Sequence, residues 1–202
     1  MDAYAAASVP CCFTQGGILF VALYALCFER LFRLGTNMWG SANAYFSATL
    51  DGKTRTAVQS MMYSSVMVYQ EFLRTTVDLE RDLLDDVASV SVGDAMRNFG
   101  VLQSWQSSPT WSPHSYVGLT RELVELVLDR LPRRTLVDIG RLFFSDPYAY
   151  VKGWPDLTLV EDGEVRFVEV KTTDRLHTSQ IITMGEMNAA AGVNVSVVRL
   201  VG

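Results

Sequence analysis

Two acidic residues and a lysine lie close together near the end of the sequence, in the segments Pro155-Asp156 and Glu169-Val170-Lys171. Carboxylates and main-chain carbonyls are the ligands that hard divalent cations such as Mg²⁺ and Mn²⁺ prefer, and a bound cation acidifies water. A nearby ammonium group can orient that water or neutralise charge on a phosphoryl oxygen. The segments therefore predict metal-dependent phosphodiester hydrolysis. The candidate metal ligands are Asp156, Glu169 and the carbonyl of Val170, and the candidate catalytic lysine is Lys171.

The spacing of these residues also predicts their geometry. Asp162-Gly163 separates two alternating β segments, which is typical of a two-residue type I′ hairpin turn. Counting back from this turn places Asp156 directly opposite Glu169, with Cβ atoms roughly 4.5–5.5 Å apart, and puts Lys171 on the same face. Opposed like charges on a partly apolar sheet are destabilising, and a divalent cation would compensate them. On these residues alone, an exposed edge hairpin in which Lys171 simply pairs with both acids remains equally open.

The elements that must position this cluster follow a strand, strand, helix, strand order after Gly153. Alternating apolar residues predict strands over 157–160 and 165–170 and a final strand over 193–200. Between them, residues 179–191 are predicted to form a helix, with Gly192 as its C-terminal cap.

The preceding part of the chain is predicted to be mainly helical. The apolar stretch from Gly17 to Leu34, followed by Gly35, predicts a buried central helix. Residues 66–90 show a helical apolar stripe whose acids form a solvated face, and Thr120 is a predicted N-cap for a helix through Leu131, followed by Pro132. We therefore expect an α/β fold in one domain over 1–202, with a mainly helical part over 1–150 and a β-hairpin, helix and strand over 151–202.

Composition limits the kinds of partner. The chain has 202 residues, a formal net charge of −5 and a pI of about 5.0, so it does not hold nucleic acid by bulk charge, and any such contact must be local. Four arginines are grouped near residue 135, and they either bind phosphates or form a solvated helix end, which is slightly favoured. These are Arg130, Arg133, Arg134 and Arg141.

The cysteines and the apolar segments indicate the cellular compartment in which the protein works. Cys11, Cys12 and Cys27 form no CxxC pair, so we expect reduced, buried thiols and no structural zinc. The apolar run from Gly16 to Phe28 is too short to span a bilayer, and no secretory signal precedes it. We expect no membrane association and a reducing compartment, either cytoplasmic or nuclear.

Four motifs in order carry a resemblance to a known family. They are Gly153-Trp154-Pro155-Asp156-Leu157, Phe167-Val168-Glu169-Val170-Lys171, Asp174-Arg175-Leu176 and Gln180. This set resembles the VRR-NUC branch of the PD-(D/E)xK nucleases and is similar to the C-terminal nuclease domain of Fanconi-associated nuclease. The resemblance implies a restriction-endonuclease-like core, with a small mixed sheet flanked by helices, and a structure-selective DNA nuclease that acts on flaps or junctions in repair.

The resemblance also implies roles for individual residues. Asp156 and Glu169 would be metal ligands, Lys171 the catalytic lysine and Gln180 a site residue on the following helix. A weaker similarity aligns Gln15-Gly16 with a Glu-Gly pair at the start of an apolar helix, which would place Gln15 where the family has its third metal-binding acid. A neutral amide there would lower metal affinity and rate. The alternatives are that Glu29, Glu122 or Glu125 supplies the missing acid, that the change was engineered, or that activity has been lost.

The family resemblance also implies binding partners. DNA is the expected partner, with Lys152, Arg141 and Arg175 as candidate nucleic-acid contacts. A homodimer or a partner protein would supply further DNA-binding surface. The competing hypothesis is a catalytically impaired module of the same fold that binds nucleic acid or acts as a scaffold.

Overall fold

The computed structural model describes residues 9–14, 16–38, 78–104, 118–145 and 153–200. In this part of the chain, a four-stranded sheet packs one face against a layer of helices. The core joins both layers, because Phe167 and Val160 from the sheet lie in the same buried cluster as Leu23 and Ile139 from the helices. The predicted α/β class is confirmed.

The sheet is mixed, and its strand order is the order of the strands in the chain. Strands β1 (Cys11–Phe13), β2 (Leu157–Glu161) and β3 (Glu164–Lys171) pair antiparallel, and β4 (Val195–Arg199) pairs parallel to β3. The predicted hairpin is confirmed, since Asp162 and Gly163 have φ values of 52° and 79°. The sequence did not predict β1.

The helices described by the structure are α1 (Gly17–Met38), α2 (Leu79–Ser89), α3 (Val92–Ser104), α4 (Arg121–Arg130), α5 (Arg133–Ser145) and α6 (Thr178–Ala191). Helix α1 contacts α2, α3 and α4, and its side chains from Ile18 to Leu31 are mostly buried, as predicted. Its predicted end at Gly35 is wrong, because the helix continues to Met38. A single glycine costs only about 1 kcal/mol relative to alanine and is a weak stop. None of the described helices is long and apolar enough to cross a membrane.

The acidic face of α2 is not simply solvated. Arg30 on α1 donates to both carboxylate oxygens of Asp86, at 2.6 and 2.9 Å, and to Asp82 at 3.2 Å. These groups are partly buried between the two helices, so two of the acids predicted to face solvent instead link α1 to α2.

Candidate active site

The hairpin register brings Asp156 and Glu169 together at the end of the ladder. The ladder between β2 and β3 ends at the pair Leu157↔Val168, so Asp156 and Glu169 are the next residues outward, which agrees with the predicted register. The Val170 N–H donates to Asp156 Oδ2 at 3.0 Å. Because the N–H and C=O of one strand residue point to the same edge, the Val170 carbonyl also faces the Asp156 side.

Glu169 is the most enclosed member of the cluster. Its side chain is fully buried, and its Oε1 accepts hydrogen bonds from Lys171 Nζ, at 2.9 Å, and from the Gln180 side-chain amide. Its Oε2 is buried and has no hydrogen-bond partner among the described residues. Burial raises the pKa of Glu169, and the hydrogen bond from Lys171 lowers it. The negative charge of Asp156 raises the pKa of Glu169 further. A carboxylate oxygen buried without a partner is costly.

Lys171 is held as a cation between two acids. Its Nζ lies 2.9 Å from Glu169 Oε1 and 3.2 Å from Asp174 Oδ2. The hydrogen bond to Glu169 raises the pKa of Lys171, and the hydrogen bond from Lys171 lowers the pKa of Asp174. A protonated lysine donates hydrogen bonds and cannot act as a base. Since β3 lies between β2 and β4 and Lys171 is buried, the exposed edge hairpin considered from the sequence is wrong.

Gln180 connects the first turn of α6 to Glu169. Its Oε1 accepts the His177 main-chain N–H at 2.9 Å, and its Nε2 donates to Glu169 Oε1. An N–H can only donate and a carboxylate can only accept, so these partners fix the orientation of the amide. Gln180 therefore positions Glu169, at the place where the sequence predicted a site residue.

Two close main-chain contacts hold neighbouring segments against the cluster. Gly153, with φ +91°, lies where a Cβ would come 2.3 Å from the Ser179 carbonyl oxygen at the start of α6. Gly16, with φ +79°, lies where a Cβ would come 2.2 Å from Trp154 Cβ. The Thr14 N–H also donates to the Asp156 carbonyl at 3.0 Å. The segment that leads from β1 into α1 therefore lies beside Trp154 and Asp156.

The remaining predicted site residues are placed differently. Gln15 and Lys152 lie outside the described residues, although Thr14 and Gly16 on either side of Gln15 contact the Asp156 segment. Arg175 is exposed in the loop between Lys171 and α6. Arg141 donates to Asp138 at 2.6 Å and lines a groove between α2 and α5, so it does not join the carboxylate cluster.

The alternative acids do not join the cluster either. Glu29 lies twelve residues beyond Gly17 on α1, roughly 18 Å along the helix axis. Glu122 and Glu125 lie on the exposed side of α4, opposite the buried Leu123 and Val124. The structure therefore favours none of the three as the missing ligand.

The oxygen atoms of the cluster supply part of the coordination that a hard divalent cation needs. The cluster supplies the Asp156 and Glu169 carboxylates, one with a free buried oxygen, and the Val170 carbonyl, and oxygen donors of this kind suit Mg²⁺ or Mn²⁺. Across the described ranges, no group of three or more His, Cys, Asp or Glu residues is arranged to hold a metal. A third acidic or amide side chain would have to come from elsewhere, and Gln15 is the candidate that the family resemblance suggests.

Comparisons with known proteins show the family and the fold. A family model described as the VRR-NUC domain matches residues 99–201, a range that contains Asp156, Glu169, Lys171 and Gln180. The solved structures that match include the "Crystal structure of paFAN1 bound to 2nt 5'flap DNA with gap", with a TM-score of 0.56 and 18% sequence identity. The match covers 97% of this chain and 33% of that chain, so this chain spans about a third of the length of that protein. No curated protein sequence matches.

Proposed function

The chain belongs to the VRR-NUC domain family, and on that premise we propose that it is a nuclease that uses Mg²⁺ or Mn²⁺ to hydrolyse phosphodiester bonds in flap or branched DNA. The matched structure shares the fold of this chain, and in it paFAN1 is bound to a 5′ flap DNA. Action on DNA repair intermediates is part of this proposal.

One observation carries the proposal: Glu169 Oε2 is buried without a hydrogen-bond partner among the described residues. It lies on a carboxylate whose other oxygen is already bonded to Lys171 and Gln180. Lys171 neutralises part of the Glu169 charge through Oε1, and a cation bound at Oε2 would satisfy the oxygen that no described group contacts. The position of Asp156 directly opposite supports the same reading.

The side chains then have separable tasks. A cation held by Asp156, Glu169 and the Val170 carbonyl would acidify a water molecule and withdraw charge from the phosphoryl group. Lys171 remains protonated beside Glu169, so its task is to stabilise charge that develops on the phosphoryl oxygens rather than to remove a proton. Gln180 holds the Glu169 carboxylate in one orientation from α6.

Three parts of this proposal rest on the sequence. We propose that Gln15 also contacts the cation, at the position of the family's third acid, where its neutral oxygen lowers affinity relative to a glutamate. We propose that Lys152 and Arg175 contact DNA phosphates. We also propose that a second copy of the chain or a partner protein extends the DNA-binding surface. The pairing of Arg141 with Asp138 argues against a similar role for Arg141.

The test is a cleavage assay on a labelled 5′ flap DNA and on a plain duplex of the same sequence, in Mn²⁺ and in EDTA. Wild type should cut the flap preferentially and only with the cation, and Asp156→Asn should abolish cutting. The matched control is Asp162→Asn at the exposed hairpin tip, which should cut as wild type does.

A protein that only binds nucleic acid, as a scaffold, would give a different result. It would bind the flap DNA without cutting it, both as wild type and as Gln15→Glu, and Mn²⁺ would not raise its melting temperature. That outcome would refute the nuclease proposal and leave the family assignment intact.

A further inference from the structure

The parallel ladder between β3 and β4 places a second basic residue, Arg199, beside Lys171. The register pairs Glu169 with Val197 and Lys171 with Arg199. The ladder continues past this point, since the Leu200 N–H donates to the Lys171 carbonyl at 2.8 Å. Paired residues on neighbouring strands share a face of the sheet, so Arg199 lies on the face that carries Glu169 and Lys171, about 4.8 Å away across the ladder.

Exposure along β4 shows that this end of the face is open. Val195, at the start of the strand, packs against the core. Val197, two residues later on the same face, is 49% exposed, and Arg199 is exposed as well. The helical layer therefore covers the beginning of β4 and leaves Arg199 accessible at the end where the carboxylates lie.

Arg199 also differs from most arginines of the described chain in its electrostatic partners. Arg30, Arg141 and Arg166 each form an ion pair with a neighbouring acid, whereas Arg199 forms none with any described carboxylate. Its guanidinium can therefore bind an anion without first losing a partner. Guanidinium groups bind phosphates bidentately.

The acidic residues around Lys171 would repel a nucleic acid backbone, and Arg199 can reduce that repulsion. Among the described residues at this end of the sheet, Asp156, Glu169 and Asp174 outnumber the single buried cation, Lys171. A nucleic acid backbone that approached these groups alone would meet repulsion. Arg199 on β4, with Arg175 in the adjoining loop, offsets that excess.

We propose that Arg199 binds a backbone phosphate next to the scissile one, on the β4 side of the cluster. Asp156, just before β2, and Arg199, on β4, flank β3, roughly 9–10 Å apart across two strand spacings. The substrate strand would thus cross the end of the sheet from β2 to β4. This inference rests on the proposed nuclease function, and it makes Arg199 a substrate-binding residue rather than a catalytic one.

The test compares Arg199→Ala and Arg199→Gln with wild type in flap DNA binding without metal, over a series of salt concentrations, and in steady-state cleavage with Mn²⁺. Both variants should bind about tenfold more weakly, and the slope of log affinity against log salt should fall by about 0.9, the value for one lost phosphate contact. KM should rise by a similar factor and kcat should stay within about twofold. Arg166→Ala, on the same sheet but paired with Glu161, is the matched control and should change none of these.

Different failures have different meanings. Unchanged affinity and salt slope in both variants, with an active wild type, would overturn the role of Arg199 and leave the nuclease proposal standing. A loss of kcat at unchanged KM and affinity would also overturn it, because Arg199 would then act through Lys171. A wild type that neither binds nor cuts flap DNA would refute the proposed function itself.

Discussion

Replacing Lys171 with methionine tests the central contact of the cluster. Methionine keeps an unbranched chain of similar length and removes the ammonium that donates to Glu169 and Asp174. If Lys171 stabilises charge on the phosphoryl oxygens, its loss should lower kcat by about 10²–10³, the effect of removing one such donor from an active site. KM for DNA should change little, because the buried lysine makes its contribution in the transition state.

The same substitution should destabilise the metal-free protein in a pH-dependent way. Breaking a buried ion pair costs about 3–5 kcal/mol, but Glu169 can escape that cost by taking up a proton. Starting from its ordinary pKa of 4.5, protonation costs at most about 5 kcal/mol at pH 8 and about 2 kcal/mol at pH 6. Because Gln180 still donates to Glu169, we expect a loss of about 3 kcal/mol at pH 8 and no more than about 2 kcal/mol at pH 6.

The sign follows from proton linkage. Burial already raises the pKa of Glu169, and removing Lys171 raises it further. The folded state then holds a proton that the unfolded state has released, so stability is full below about pH 4.5 and falls as the pH rises through the folded pKa. Urea unfolding of Lys171→Met at pH 6 and pH 8, in EDTA, measures this difference. An equal loss at both pH values, or a variant that cuts DNA at the wild-type rate, would refute the assignment of Lys171.

The remaining predictions concern the residues that support the cluster. Gln180→Ala should weaken activity at limiting Mn²⁺ by about 10- to 100-fold, since Gln180 orients a ligand. Gln15→Glu should lower the Mn²⁺ concentration for half-maximal cleavage by about tenfold, since it adds an anionic donor. Gly153→Ala should destabilise the fold by about 1–3 kcal/mol more than Gly163→Ala in urea unfolding. Both glycines have positive φ, but only at Gly153 would the new methyl group meet main-chain atoms, those of Ser179.

Each of these measurements has an outcome that contradicts its premise. Equal costs for the two glycine variants would mean that Gly153 does not mark a close contact with α6. An unchanged Mn²⁺ requirement in Gln15→Glu would remove Gln15 from the third position. Wild-type activity in Gln180→Ala would mean that Lys171 alone is enough to position Glu169.

The sequence predicted the hairpin turn and the helix caps, because each depends on a few neighbouring residues. Asp162-Gly163 has the positive φ values that its turn type requires, Thr120 accepts the Leu123 N–H as an N-cap, and Gly192 adopts the left-handed conformation after α6. The hairpin turn then set the register that aligns Asp156 with Glu169. A short loop fixes pairing on its own, and so the centre of the candidate site was predictable.

Other elements depend on distant partners or on ambiguous signals. Strand β1 has only three residues and pairs with β2, far away in sequence, so nothing local distinguishes it. Pro132 follows α4, as predicted, but the sequence did not predict α5, whose first turn begins where the Pro132 carbonyl accepts the Leu136 N–H. Arg199 was missed because a parallel pairing across a helical crossover is not fixed by a turn. Its one signal was its place in the alternation after Val195 and Val197.

The charge of the cluster offers a physical reason why a neutral residue is tolerated at position 15. Lys171 already shares its single charge between Glu169 and Asp174, and Asp156 lies close enough to raise the pKa of Glu169. A glutamate at the proposed third acidic position would add another anion to a cluster that one lysine already compensates only in part in the absence of metal. Gln15→Glu should therefore lower the free energy of unfolding in EDTA and raise it in saturating Mn²⁺, where binding to the folded state adds about 2.7 kcal/mol at one hundred times Kd. Paired thermal melts with and without Mn²⁺ measure both signs, and a stabilisation in EDTA would place residue 15 away from Asp156 and Glu169.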